Sequence, residues 1–189
     1  QDEKYAEAVE LVDALPQESV FSYAAKVEAA RNLARMEQVD EAIRRLTTVA
    51  RDAEDPFSAN LTLANLLRFE KRFEEANAIY DIIIGGVEEL EQRHWSLFYS
   101  RAITYERTDR WDAAEADFRK ALELFPDQPL VLNYLGYSFV DKGINLDEAL
   151  TMIQKAVEQR PEEGFILDSL GWAYYQLGRY EEAVIELEK

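Results

Sequence analysis

Small and large apolar residues recur along this chain in a fixed order, at intervals of a little over thirty residues. With units placed at 23, 57, 95, 129 and 164, the eighth position reads Ala30, Ala64, Ala102, Gly136 and Gly171. The twentieth reads Ala42, Ala76, Ala114, Ala149 and Ala183, once one added residue after Gly143 is allowed for. Large residues hold the eleventh position (Leu33, Leu67, Tyr105, Phe139, Tyr174) and the twenty-fourth (Leu46, Tyr80, Phe118, Ile153, Leu187). Two antiparallel helices approach closely only where one contact residue lacks bulk. The small positions therefore predict helix hairpins, and the large ones fill the space between neighbouring hairpins.

Polar residues punctuate the same pattern. Acidic residues precede the second alanine at Asp40-Glu41, Glu74-Glu75, Asp147-Glu148 and Glu181-Glu182, with Asp112 in a degenerate copy. Such residues favour the positive end of a helix dipole, so a second helix is expected to start there in each unit. Successive alanines lie 34, 38, 35 and 34 residues apart, the spacing of a two-helix unit repeated end to end. Pro126 and Pro161 close the third and fourth units and Pro56 acts similarly after the first, because proline cannot continue a helix. The long second interval carries Gly85-Gly86. A helix from near Arg72 is expected to stop around Ile84, with Val87 to Arg93 extending the next one.

Composition agrees with this pattern. The 189 residues are 48% hydrophobic and 12% aromatic, with only 7 Gly and 5 Pro, which predicts an almost wholly helical, well-packed protein. A net charge of −17 repels phosphates and anionic lipid, so nucleic acid and lipid surfaces are poor partners. No run of 18 apolar residues exists to insert into a membrane. Cysteine is absent, which removes disulfides and thiol chemistry without fixing the compartment.

The motif resembles the tetratricopeptide repeat (TPR). Leu170-Gly171 with Tyr174, Gly178, Tyr180 and Ala183 is close to a consensus copy, and Leu135-Gly136 with Phe139 and Gly143 is nearly as good. The first three units depart, with Ala for Gly at the eighth position and Lys26, Asn60 and Phe98 at the fourth. The resemblance implies an all-α fold, a right-handed superhelical array of antiparallel helix hairpins. Its expected divisions are a second helix of a preceding repeat at 1–22, repeats at 23–56, 57–94, 95–128 and 129–163, and a repeat broken in its second helix at 164–189. A chain that opens on Gln1 and stops inside a helix, without a polar capping element, is expected to be a fragment of a longer parent.

Chemistry finds little support. His94 is the only histidine, and a lone histidine beside Trp95 at a helix start is a packing residue rather than a base. No cluster has metal-ligand spacing, and the paired glycines lack the strand and lysine of a phosphate loop. No catalytic residue, metal or cofactor is expected, and the chain is not expected to be an enzyme.

In the resembled family the first helix of each unit lines a concave groove, chiefly through positions 2, 5, 9, 12 and 13. Carried over, those positions include Val27, Leu61 and Phe69, with Arg31, Arg35, Asn65 and Arg68, in the first two units. They include Tyr99, Ile103, Glu106 and Arg107 in the third. In the last two they include Asn133, Tyr137, Val140, Asp141, Phe165, Asp168, Trp172 and Tyr175. Arginines dominate the first half and aromatics the second, and both are enriched in binding hot spots. The implied function is a protein–protein interaction scaffold holding a peptide or partner protein; the alternative is a self-assembly module joined through the array ends. The lysine-with-asparagine pairing of the chaperone-tail clamp is missing from positions five and nine, so a chaperone carboxyl terminus is not the expected ligand. The blocks Leu132 to Ser138 and Ile166 to Trp172 are similar to exported repeat proteins of Gram-negative bacteria, often outer-membrane lipoproteins. That similarity implies a periplasmic adaptor for a carboxyl-terminal processing protease.

Overall fold

A computed structural model describes residues 2–16 and 22–188. The described residues form eleven α-helices, one short 3-10 turn and no strand. They gather into two compact units. The first comprises 1–89 with 103–110, and the second 90–102 with 111–189.

The first unit contains α1 (Asp2–Asp13), α2 (Ser22–Arg35), α3 (Val39–Asp52), α4 (Phe57–Phe69) and α5 (Phe73–Gly85), with the end of α6 (Trp95–Glu106). Helices α2 and α3 form one hairpin and α4 and α5 the next. Ala30, Ala42, Ala64 and Ala76 are fully buried where the partners meet, and Leu46 and Tyr80 are fully buried beside them. Each such large side chain contributes about 1.5–3 kcal/mol by leaving water. Helix α1 lies on α2, its Val9 packed with Ala29, Leu33 and Ala42.

The second unit contains the start of α6, α7 (Trp111–Leu124), α8 (Pro129–Lys142), α9 (Leu146–Gln159), α10 (Gly164–Gln176) and α11 (Tyr180–Leu187). Gly136 and Ala149 meet between α8 and α9, with Phe139 and Ile153 fully buried. Leu132, Ala156 and Ile166 join α8, α9 and α10 in one cluster. The last copy departs from the rule. Leu187 occupies the position of the buried Leu46, Tyr80, Phe118 and Ile153, yet it is 55% exposed.

One turn is repeated at every hairpin. The residue at position fifteen takes a left-handed conformation: Glu37, Lys71, Asp109, Gly143 and Gly178, with φ between 57° and 74°. The next N–H then donates back to the carbonyl at position eleven, as Gln38 to Leu33 at 2.9 Å, Arg72 to Leu67 at 2.8 Å and Arg179 to Tyr174 at 2.9 Å. This is the six-to-one bond of a Schellman ending, which satisfies helix carbonyls that water or a side chain would otherwise have to serve. Acidic residues stand in the first turn of each second helix, among them Asp40, Glu74, Asp112, Asp147 and Glu181.

The expected helical extension over Val87 to Arg93 is not formed. Helix α5 ends at Gly85, and the chain through Val87–Glu91 is irregular before a 3-10 turn at Gln92–His94. The cause is a cap. The Glu91 side chain accepts from the His94 backbone, while His94 Nδ1 accepts from the Glu91 N–H at 2.9 Å. This reciprocal box sets the helical start at Gln92. His94 is 8% exposed and serves as a capping group.

Candidate functional site

The first unit disperses its sequence-predicted arginines. Arg31 pairs with Glu28 at 3.0 Å and donates to Thr62 Oγ1 at 3.0 Å. Arg35 pairs with the same carboxylate at 3.2 Å, donates to Asn32 Oδ1 at 2.8 Å, and lies over the Tyr5 ring. Glu28, three residues from Arg31, thus offsets part of the positive face. Asn65 accepts from the Tyr80 hydroxyl at 2.9 Å, which ties a groove-position amide to the hairpin interior. Arg68 has a buried Nε without a hydrogen-bond partner, whereas Arg107 is exposed. Phe69, the next residue on α4, is 78% exposed, the highest value for any large apolar side chain among the described residues.

A cleft of about 520 Å³ opens in this unit, lined by Tyr23, Lys26, Arg44, Arg45, Asp13 and Asp52 among others. Its arginines are already committed. Arg45 grips Asp13 at 2.7 and 3.0 Å, and both Arg44 and Arg45 hold Glu41. Those hydrogen bonds, Arg44 first and Arg45 second, pull the Glu41 carboxyl down to about 2. Glu75 and Glu182 are lowered in the same way, by Arg72 and Arg179. These pairs open second helices and lock local geometry.

In the second unit the predicted aromatics divide. Tyr99 is half-buried in a ring cluster, with centroids 5.8 Å from Trp95, 6.1 Å from Phe118 and 5.9 Å from Tyr134. It packs helices together, so its assignment to an open binding surface does not match its placement. Asn133 is 7% exposed, and its Oδ1 is buried without a partner. Tyr137, Trp172 and Tyr175 are 43%, 37% and 50% exposed. Trp172 stacks on Tyr175 at 5.4 Å and 12°, and Tyr175 meets Tyr180 at 5.4 Å.

Tyr137 and Trp172 hold the same repeat position on two contacting first helices, α8 and α10. Asn133, Tyr137 and Asp141 are spaced by four along α8, and Asp168, Trp172 and Tyr175 by four and three along α10. Such spacings place side chains on one helix face. Tyr180 belongs with the platform although sequence reasoning assigned it only to the repeat. Its consensus position gave no sign that its ring would stay 62% exposed. Among the described residues no group of three His, Cys, Asp or Glu could hold a metal, and no helix is long and apolar enough to cross a membrane.

Comparisons with known proteins agree with this architecture. A family model described as tetratricopeptide repeat matches residues 27–89 and 144–189, and a second of the same description matches 95–128. No curated protein matches. The solved structure of BtubC (BKLC) from P. vanneervenii is similar with a TM-score of 0.83 at 17% identity, covering 100% of this chain and 87% of that one. MamA protein gives 0.74 at 18% identity, with 90% of each chain covered. YrrB, described as a TPR protein with an unusual peptide-binding site, gives 0.67 at 19% identity, covering 100% and 91%.

Proposed function

Because this chain belongs to the tetratricopeptide repeat family, we propose that it is an interaction scaffold and that its contact surface is the exposed α8–α10 face. A peptide or partner helix lies across Tyr137, Trp172 and Tyr175. The observation that carries this reading is the Trp172–Tyr175 stack, two large rings left in water although neighbouring aromatics are packed inside. Rigid amphipathic rings supply contact area at little conformational cost. Helices α2 and α4 carry a second candidate contact surface, with the exposed Phe69 and the partly committed Arg31, Arg35 and Arg68, and Arg107 lies within the same unit. Support for a peptide ligand comes also from YrrB, whose own site is described as peptide-binding.

The test is titration with peptides captured from a displayed library. Trp172→Ala and Tyr137→Ala should each weaken binding about tenfold or more, as buried aromatic anchors do. Unchanged affinity in both would remove this face from the site.

The finer role is adaptor work in the cell envelope, delivering substrates to a carboxyl-terminal processing protease. It rests on the sequence blocks around Tyr137 and Trp172. Co-purification of such a protease with the full-length protein, lost in Trp172→Ala, is the expected result; its absence from the native complex removes this role. Self-association draws support from the exposed Tyr180, Val184 and Leu187 on α11, spaced by four and three. Sedimentation should then show a concentration-dependent dimer that Val184→Glu abolishes, and a strict monomer ends that reading.

A further inference from the structure

The chemistry of the α8–α10 face is one-sided. Its rings offer negative π faces. Beside them, one helical turn from Tyr137, stands Asp141, and one turn before Trp172 stands Asp168; both are exposed and neither has an ion pair among the described residues. Two cations of the same unit are committed elsewhere. Lys142 lies over the Trp111 ring at 4.8 Å, and Arg179 is held by Glu182 and sits 4.5 Å over Tyr174. On the same stripe, the buried Asn133 Oδ1 is an acceptor with no donor. Apart from the tyrosine hydroxyls, the Trp172 indole N–H and the Asn133 amide N–H groups, these groups accept hydrogen bonds or attract positive charge.

A side chain that only donates is the complement of such a surface. Guanidinium and ammonium groups have donors and no acceptor. Arginine fits best, because its planar head stacks on an aromatic ring while its edge donates to a carboxylate. A carboxylate ligand would meet two unneutralised aspartates and the field of a chain with net charge −17.

Building on the interaction-surface reading above, we infer that the α8–α10 face recognises an arginine-bearing segment of a partner protein. One guanidinium stacks on the Trp172–Tyr175 pair and donates to Asp168, and a second basic residue reaches Tyr137 and Asp141.

The experiment is calorimetric titration of the full chain with three synthetic peptides of about ten residues, alike except that their arginines are kept, replaced by neutral citrulline, or replaced by glutamate. The arginine peptide should bind about tenfold tighter than its citrulline twin, the combined weight of a cation–π contact and exposed ion pairs. The glutamate peptide should bind more weakly still. The Asp141→Asn/Asp168→Asn double variant should lose most of that discrimination. Asp147→Asn/Glu158→Gln removes the same net charge from α9 and should keep it, which separates the site from bulk attraction. Equal binding of the arginine and citrulline peptides, with Trp172→Ala still weakening both, overturns the charge preference and leaves the binding face standing. Equal loss of discrimination in the two double variants also overturns it. Failure of all three peptides to bind overturns both readings.

Discussion

Gly136 and Gly171 occupy the same repeat position, and adding one methyl group to each should have opposite consequences. A Cβ at 136 would lie 2.8 Å from Ile153 Cγ1, 3.3 Å from Ile153 Cδ1 and 3.0 Å from the Ala149 carbonyl oxygen. Carbon atoms pack best at about 3.5–4.0 Å, so the first contact is about 0.7 Å too short. Ile153 is fully buried and the Ala149 oxygen is main chain, so neither can swing away. Overpacking of this kind costs about 1–3 kcal/mol, against a gain of up to about 1 kcal/mol from replacing glycine in a helix.

Gly136→Ala should therefore destabilise by about 1–2 kcal/mol, lowering Tm by about 2–8 °C in a chain of this size. At Gly171 the added Cβ would be nearer still, 2.6 Å from Leu187 Cγ and 2.7 Å from Cδ2. Leu187 is 55% exposed near the end of α11 and can rotate. Gly171→Ala should be neutral or stabilising by up to about 1 kcal/mol. Thermal melting by circular dichroism compares the two, and hydrogen exchange should place the loss in α8 and α9. The reasoning fails if Gly171→Ala costs as much as Gly136→Ala, because mobility of the neighbour would then not decide the outcome. An Ile153→Ala background should also shrink the cost at 136.

Asp117 accepts two hydrogen bonds from Arg101 at 2.7 and 2.8 Å, and the two side chains are only 9% and 16% exposed. Asp117→Ala takes this two-bond carboxylate from a largely buried guanidinium and should cost about 1.5–3 kcal/mol in urea unfolding. Glu41 is lowered to about 2 from its ordinary 4.5, so its contribution is complete above pH 4.5 and lost as pH falls towards 2. The urea midpoint of Glu41→Gln should accordingly trail the parent chain at pH 7 and converge with it near pH 2; a gap that widens on acidification contradicts the sign. Lys71 holds a φ of 60°, where a Cβ is strained, so Lys71→Gly should stabilise by about 0.5–1 kcal/mol in the same assay. Truncating Trp172 or Tyr137 should leave Tm within a few degrees while weakening peptide binding, because both rings are substantially exposed.

The order of small and large residues was enough to determine that this chain is helical and built from hairpins. Helix–helix approach is a local steric matter: Ala30 against Ala42, or Gly136 against Ala149, can be read directly from spacing. Acidic first turns such as Asp40-Glu41 were legible for the same reason, since nearby negative charge stabilises a helix start. The contact surface was only half legible. Spacing sets the angle at which a side chain leaves its helix, and so it placed Tyr99, Tyr137 and Trp172 at related positions. Whether each ring stays in water depends on the bulk of residues far away in the chain, and only the fold brought Trp95, Phe118 and Tyr134 around Tyr99. Tertiary structure likewise brought Arg45 of α3 to Asp13 of α1, allowed Glu37 and Lys71 a backbone conformation their side chains disfavour, and left Asp141 and Asp168 without counter-charges. Charge pairing and exposure are properties of neighbours in space, and a repeat period records neighbours only along the chain.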